Sequence, residues 1–145
     1  MLDPAALFFD QAAQSPHVQF IYDVQAQQVV YVNAAYEAVL QGHRAQVNAE
    51  LPALLARVAP DELPLLRTYW RLWQHGGLQD EIEVRLRRVA GPDQWLCLTP
   101  HWYQDAAGHS FVSGSLRDVS EEREHRQNSQ RFNAKKNTVL EGVGK

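Results

Sequence analysis

The 145-residue chain has a single cysteine, Cys97. One cysteine excludes an internal disulfide framework and suits a reducing cytoplasm. Six histidines, at positions 17, 43, 75, 101, 109 and 125, show neither a His-x₃-His nor a Cys-x-x-Cys spacing, so no metal site is expected. No apolar run approaches the length of about 18 residues that a membrane helix needs. The start carries no basic leader region, because Asp3 and Asp10 flank its short apolar stretch. A net charge of −3 lacks the basic footprint of a nucleic-acid binder. There is no glycine-rich phosphate loop, and Ser113-Gly114-Ser115 lies in a strand pattern rather than at a nucleophile elbow. These absences predict a soluble cytoplasmic domain without catalytic chemistry of its own.

With 45% hydrophobic and 21% charged residues, the chain can bury a core, and its length suits one domain with a helical extension or two. The clearest pattern lies in the second half. From Asp80 to Arg88, Ile82, Val84 and Leu86 alternate with charged residues, the period of a strand with one buried face. Ala90-Gly91-Pro92-Asp93 is turn chemistry. Gln94 to Tyr103 follows as an aromatic-rich strand in which Pro100 predicts a bulge or an unpaired position. A second turn at Asp105 to Gly108 leads into a third strand, Ser110 to Arg117, so two hairpins in series form an antiparallel meander.

Upstream, Asp3 caps and Pro4 opens a helix that ends before Ser15-Pro16. Leu7, Phe8 and Phe9 spread around too much of that helix for one buried stripe, so one side covers the domain and another is available to a second copy. Val18 to Asp23 and Gln28 to Val32 read as a hairpin. Asn33 stands at the cap of a short helix, Ala34 to Leu40, ended by Gly42. Another helical piece spans Glu50 to Val58. The main helix runs from Pro60 to His75, stops at Gly76-Gly77, and carries Leu63, Leu66, Trp70 and Trp73 as one apolar stripe. From Ser120 onward a polar helix begins, with Ser120 as its cap and Glu122 placed to pair with Arg126 four residues on. Phe132 and Val139, seven apart, hint at a coiled-coil seam.

This succession of elements resembles a PAS domain over roughly residues 15 to 125. The ending Asp118-Val119-Ser120-Glu121-Glu122-Arg123 is similar to the family's Asp-Ile-Thr-Glu-Arg, and Tyr31-Val32-Asn33-Ala34-Ala35-Tyr36 looks like its second strand and first small helix. The resemblance implies an α+β fold: a five-stranded antiparallel sheet with helices on one face, plus an N-terminal helix and a C-terminal connector helix. It divides the chain into a flanking helix (1–16), a PAS sensor domain (17–120) and a connector (121–145). In that fold the long helix crosses the open side of the sheet, giving a ligand pocket of Leu66, Tyr69, Trp73, Ile82, Val84 and Leu86. Asp118 and Ser120, where the last strand becomes the connector, are the residues expected to transmit a signal.

Residues 131 to 141 also resemble the start of the dimerisation helix of two-component histidine kinases, without the phosphoacceptor box that follows it there. His125-Arg126-Gln127-Asn128 mimics part of that box but lacks the acidic residue after the histidine. The two resemblances imply the sensory input domain of a bacterial cytoplasmic histidine kinase, homodimeric through its N- and C-terminal helices. The kinase domains, and ATP chemistry, would lie in the rest of the parent protein. No cofactor is evident, and a small ligand of unknown identity is compatible with the fold. Haem is not expected, since Asp61 to Tyr69 holds no histidine and His75 is near the helix end. Covalent flavin chemistry is not expected either, since Ala49 to Ala59 holds no cysteine. His101, beside Trp102, either faces the cavity or is satisfied within its strand. Two rival readings remain open: a ligand-free PAS dimerisation cassette with its cavity filled by Trp70, Trp73 and Trp102, and a cone-shaped α+β enzyme. The latter needs an acid or base that Ile82, Val84 and Leu86 do not supply.

Overall fold

The computed structural model describes residues 3–77, 80–88 and 90–127. The elements are α1 (Pro4–Gln14), β1 (Val18–Asp23), β2 (Gln28–Val32), α2 (Ala35–Leu40), a 3₁₀ turn at Arg44–Gln46, α3 (Val47–Ala56), α4 (Leu63–Trp73), β3 (Ile82–Leu86), β4 (Gln94–Gln104) and β5 (Ser110–Asp118). Residues 120–127 are helical and are called the exit helix below. The seven-spaced pair Phe132 and Val139, and the kinase-like stretch around them, lie outside the described residues. All five strands pair antiparallel in the order β2-β1-β5-β4-β3.

Alternation divides the sheet into two faces. Val18, Val32, Val84, Leu86 and Leu96 are buried on the face that packs under α2, α3 and α4, in two adjoining apolar clusters. The register between β4 and β5 runs unbroken from Leu96 opposite Asp118 to Gln104 opposite Ser110. Pro100 therefore makes no bulge. Its pairing with β3 ends earlier, at Leu98 opposite Ile82, so the missing amide hydrogen faces a position where no strand is present to accept it. Among the described residues the register shift falls between Ile21 and Tyr22 in the β1–β2 hairpin. Opposite Pro100 sits Gly114, where a Cβ would come within 2.4 Å of the Thr99 carbonyl and 3.3 Å of the Phe20 ring.

Both sheet edges are covered, which removes the unpaired strand as a template for aggregation. At β3, the Ala59 amide donates to the Arg85 carbonyl and the Arg87 amide to the Arg57 carbonyl. At β2, the Asn48 side chain both accepts from the Val29 amide and donates to its carbonyl. Pairing of residues 57–59 with the sheet also explains why α4 starts at Leu63 rather than Pro60. The backbone at Ala59 is held by β3, and its carbonyl accepts from Glu62 and Leu63 to turn the chain into the helix.

Three local expectations need correction. Asn33 is not a side-chain cap for α2. It is fully buried, and its amide accepts from the Gln19 amide at 3.0 Å and donates to the carbonyls of Ala12 at 2.6 Å and His17 at 2.9 Å, tying α1 to β1. The left-handed residue that ends α2 is Gln41, at φ 58°, and not Gly42. Gly42 is glycine for a different reason: a Cβ there would collide with the Tyr36 ring and the Glu50 carboxylate, which hydrogen-bond one another beside it. Ser120 does not cap the exit helix through its hydroxyl, for reasons given below. The Asp3 cap on α1 is present, at 3.1 Å from the Ala5 amide.

Candidate functional site

Between the sheet and helices α2, α3 and α4 lies a cavity of about 720 Å³, partly open to solvent. That is within the range of roughly 300–1,000 Å³ typical of small-molecule sites. Phe20 and Tyr22 of β1, Val29 and Val32 of β2, and Leu96, Leu98 and Leu116 of β4 and β5 form its floor. Leu51, Leu54 and Leu55 of α3 and Leu63, Leu66, Arg67 and Trp70 of α4 form its roof. The exposed members of this lining, Gln27, Pro52, Leu55, Ala56 and Arg67, mark the mouth.

Of the six residues that sequence suggested for a pocket, Leu66, Val84 and Leu86 are on this wall, while Tyr69, Trp73 and Ile82 are not. Trp73 is fully buried in the last turn of α4, with its ring centroid 6.0 Å from Tyr69 and 6.2 Å from Trp70. The chain just after it, at Gly76, packs against the Trp102 ring, so this end of α4 closes the core beyond the cavity. Ile82 opens the edge strand and packs against the Val58–Val84–Leu86–Leu96 cluster, and its partner Leu98 takes the wall position. Of the three tryptophans proposed to fill the cavity, only Trp70 reaches it. Sequence reasoning missed the contributions of β1, β2 and α3. The alternation Val18, Phe20, Tyr22 and the helical spacing Val47, Leu51, Leu54 carried that signal.

The wall is chemically plain. Its polar side chains are Tyr22, Gln27, Tyr36 and Arg67, with no carboxylate, histidine or thiol among the described residues. Tyr36 is buried, and its hydroxyl is engaged by Glu50. Burial and that carboxylate push the phenol far above its usual range, so it stays neutral. Burial, with the neighbouring Asp23 charge, also raises Tyr22. His101 is exposed and off the wall. Cys97 is buried on the opposite face, since its neighbours Leu96 and Leu98 line the cavity, and burial raises its thiol pKa. A haem iron would find no histidine here and a flavin no thiol, so these residues fit neither group in its ligated or covalent form.

The second candidate feature is the junction where β5 becomes the exit helix. Asp118 accepts hydrogen bonds from the Gln94 side chain at 2.9 Å and from the Ser120 amide at 2.8 Å. The Ser120 hydroxyl is turned to the sheet, where it accepts from the Trp95 amide at 2.9 Å, and Asp118 takes the free amide at the start of the helix. Burial opposes ionisation of Asp118, yet these hydrogen bonds and Arg88 together hold its carboxyl below the usual value. Gln94 itself is buried and also donates to the Val39 carbonyl near the end of α2, so one amide joins α2, whose Leu40 lines the cavity, to the junction.

Beyond the junction, Glu83 of β3 accepts from Arg123 at 2.7 Å and from Arg126 at 3.0 Å, and the Arg123 guanidinium lies 3.5 Å from the centre of the Trp95 ring. Glu122 does not pair with Arg126 but with Arg117, at 3.2 Å. Sequence spacing pointed to a pair within the helix, whereas the sheet supplied a better placed partner for each.

A cavity between a five-stranded antiparallel sheet and its helices, with a helix leaving the last strand, is the architecture of PAS domains, and the chain has that fold. No protein-family model matches the sequence, and no curated protein matches it. Solved structures do. The N-terminal domain of a diguanylate cyclase with a PAS/PAC sensor from Marinobacter aquaeolei is similar at a TM-score of 0.63 and 18% identity, covering 74% of this chain and 98% of its own. A sensory box histidine kinase/response regulator from Burkholderia thailandensis gives 0.59 and 16%, over 91% of this chain and 98% of its own. An RNA-binding light-oxygen-voltage receptor gives 0.68 and 22%, over 95% of this chain but 40% of its own. Among the described residues no helix is long and apolar enough to cross a membrane, and no cluster of side chains could hold a metal ion.

Proposed function

We propose that this chain is a sensory PAS module of a bacterial signalling protein, in which occupancy of the cavity changes how the exit helix is held. The observation that carries this reading is the short path between the two features. Leu116 and Leu96 line the cavity, and Asp118, two residues further along β5, and Trp95, adjacent to Leu96 on β4, hold Ser120. A ligand shifts such a switch only by binding its two states unequally. The apolar wall is one half of the switch and the hydrogen-bonded junction is the other. A cytoplasmic histidine kinase is the output we favour, on the sequence character of residues 131 to 141 and the kinase among the similar structures.

Homodimerisation belongs to this reading. Helix α1 buries none of its residues, and Leu7, Phe8 and Phe9 remain 42%, 71% and 57% exposed. A second copy lying against α1 would cover them. The same observation favours the rival reading, a dimerisation cassette that binds nothing, although the open cavity counts against it.

The test is Asp118→Ala in the parent protein, with kinase output followed across inducing conditions. The expected result is an output that no longer follows the inducer while the module remains folded. Unchanged output would remove Asp118 from transmission.

A further inference from the structure

Among the described residues, one charged side chain stands on the cavity wall, that of Arg67. Arg67 is exposed at the mouth and makes no ion pair with any described residue. It stands three residues before Trp70, on the same side of α4. Trp70 meets Tyr22 edge to face at 4.8 Å, and Gln27 lies in the β1–β2 turn that Tyr22 approaches. Arg67 and Gln27 are thus both exposed residues of the cavity mouth, and Tyr22 lines the same cavity in ring contact with Trp70, one helical turn from Arg67. Neither the Tyr22 hydroxyl nor the Gln27 amide has a hydrogen-bond partner among the described residues, whereas the fourth polar group, Tyr36, is already bound to Glu50.

On the premise that the module senses a small ligand, we infer that the ligand is a single-chain amphiphile with one acidic head group. The chain fills the apolar space under α3 and α4, and the head stays at the mouth against Arg67, with Gln27 and Tyr22 as further donors. The alternatives are less well matched. A ligand rich in polar groups would bury them against Leu, Val and Phe without partners. A cationic head would meet the Arg67 charge. A wholly neutral hydrocarbon would leave the polar mouth unused.

Displacement of N-phenyl-1-naphthylamine by sodium dodecanoate, 1-dodecanol and dodecyltrimethylammonium, all below micelle formation, tests this on the wild-type chain and on Arg67→Gln. The expected result is dodecanoate binding about tenfold tighter than dodecanol, with the cation weakest. Arg67→Gln should weaken dodecanoate about tenfold and leave dodecanol within about twofold, the size of one charge-assisted contact. Affinity should rise about tenfold with each two methylenes added from octanoate until the cavity is full. If dodecanol equals dodecanoate and the substitution changes neither, the acidic head is wrong while ligand sensing stands. If the dye and all three amphiphiles fail to bind, the inference and the sensing premise both fall, and the dimerisation cassette replaces them.

Discussion

The face of the sheet under α2, α3 and α4 holds its helices mainly through Val, Leu and aromatic side chains, whereas the opposite face holds α1 and the exit helix largely through directed polar contacts. Apolar packing is non-directional and tolerates sliding, so it can surround a cavity and accept different contents. Hydrogen bonds and ion pairs are directional and, where exposed, sensitive to salt and pH. Placing the two on opposite faces of one sheet separates a region suited to accommodating contents from a region held in fixed directions. Strands β4 and β5 belong to both.

The largest expected effect lies on the apolar side. Trp73→Ala removes a fully buried ring from the end of α4 and should cost about 3–5 kcal/mol in denaturant unfolding. A loss under about 1 kcal/mol would mean that the aromatic cluster does not anchor α4, and the contrast drawn above would collapse.

On the polar side, Glu83→Gln leaves Arg123 and Arg126 without their carboxylate. Both pairs are partly exposed, so the cost in global stability should be about 1 kcal/mol or less. The effect should instead be local, as faster amide exchange across residues 120–127 and little change in β4 or β5. Exchange that rises equally throughout the sheet would show that the exit helix is not a separable unit.

The smallest effect concerns pH. The carboxyl of Asp118 is lowered in the folded state, so its contribution is fully present above the unfolded value of about 3.9 and is lost as pH falls through the lower folded value. Asp118→Asn should therefore flatten part of the acid limb of the stability curve below about pH 4 while changing little at neutrality. An unchanged acid limb would mean that the junction carboxylate is not stabilised by folding.

The fold was largely legible in the sequence, because the alternation at Ile82, Val84 and Leu86 and the turns at Gly91 and Gly108 leave few other arrangements. The cavity wall was half legible. The stripe Leu63, Leu66, Trp70, Trp73 shows which side of α4 faces inward. It does not show that the cavity ends before Trp73, which depends on where Gly76 meets Trp102. The roles of Asn33, Gln94 and Glu83 were not legible as such. Each depends on partners 14 to 55 residues away in sequence, a separation over which spacing rules carry no information.

The buried amide of Asn33 has a consequence of another kind. Two donors and one acceptor are fixed there by two carbonyls and one backbone amide. Aspartate has the right shape but would face two carbonyl oxygens with oxygen, and glutamine has the right atoms on too long a stem. Position 33 thus admits a single letter of the amino-acid alphabet. Because α1 buries none of its own residues, its alignment on the sheet rests on that letter and on the edge-to-face contact of Phe9 with Tyr31, and most of the helix's other letters answer to no partner among the described residues.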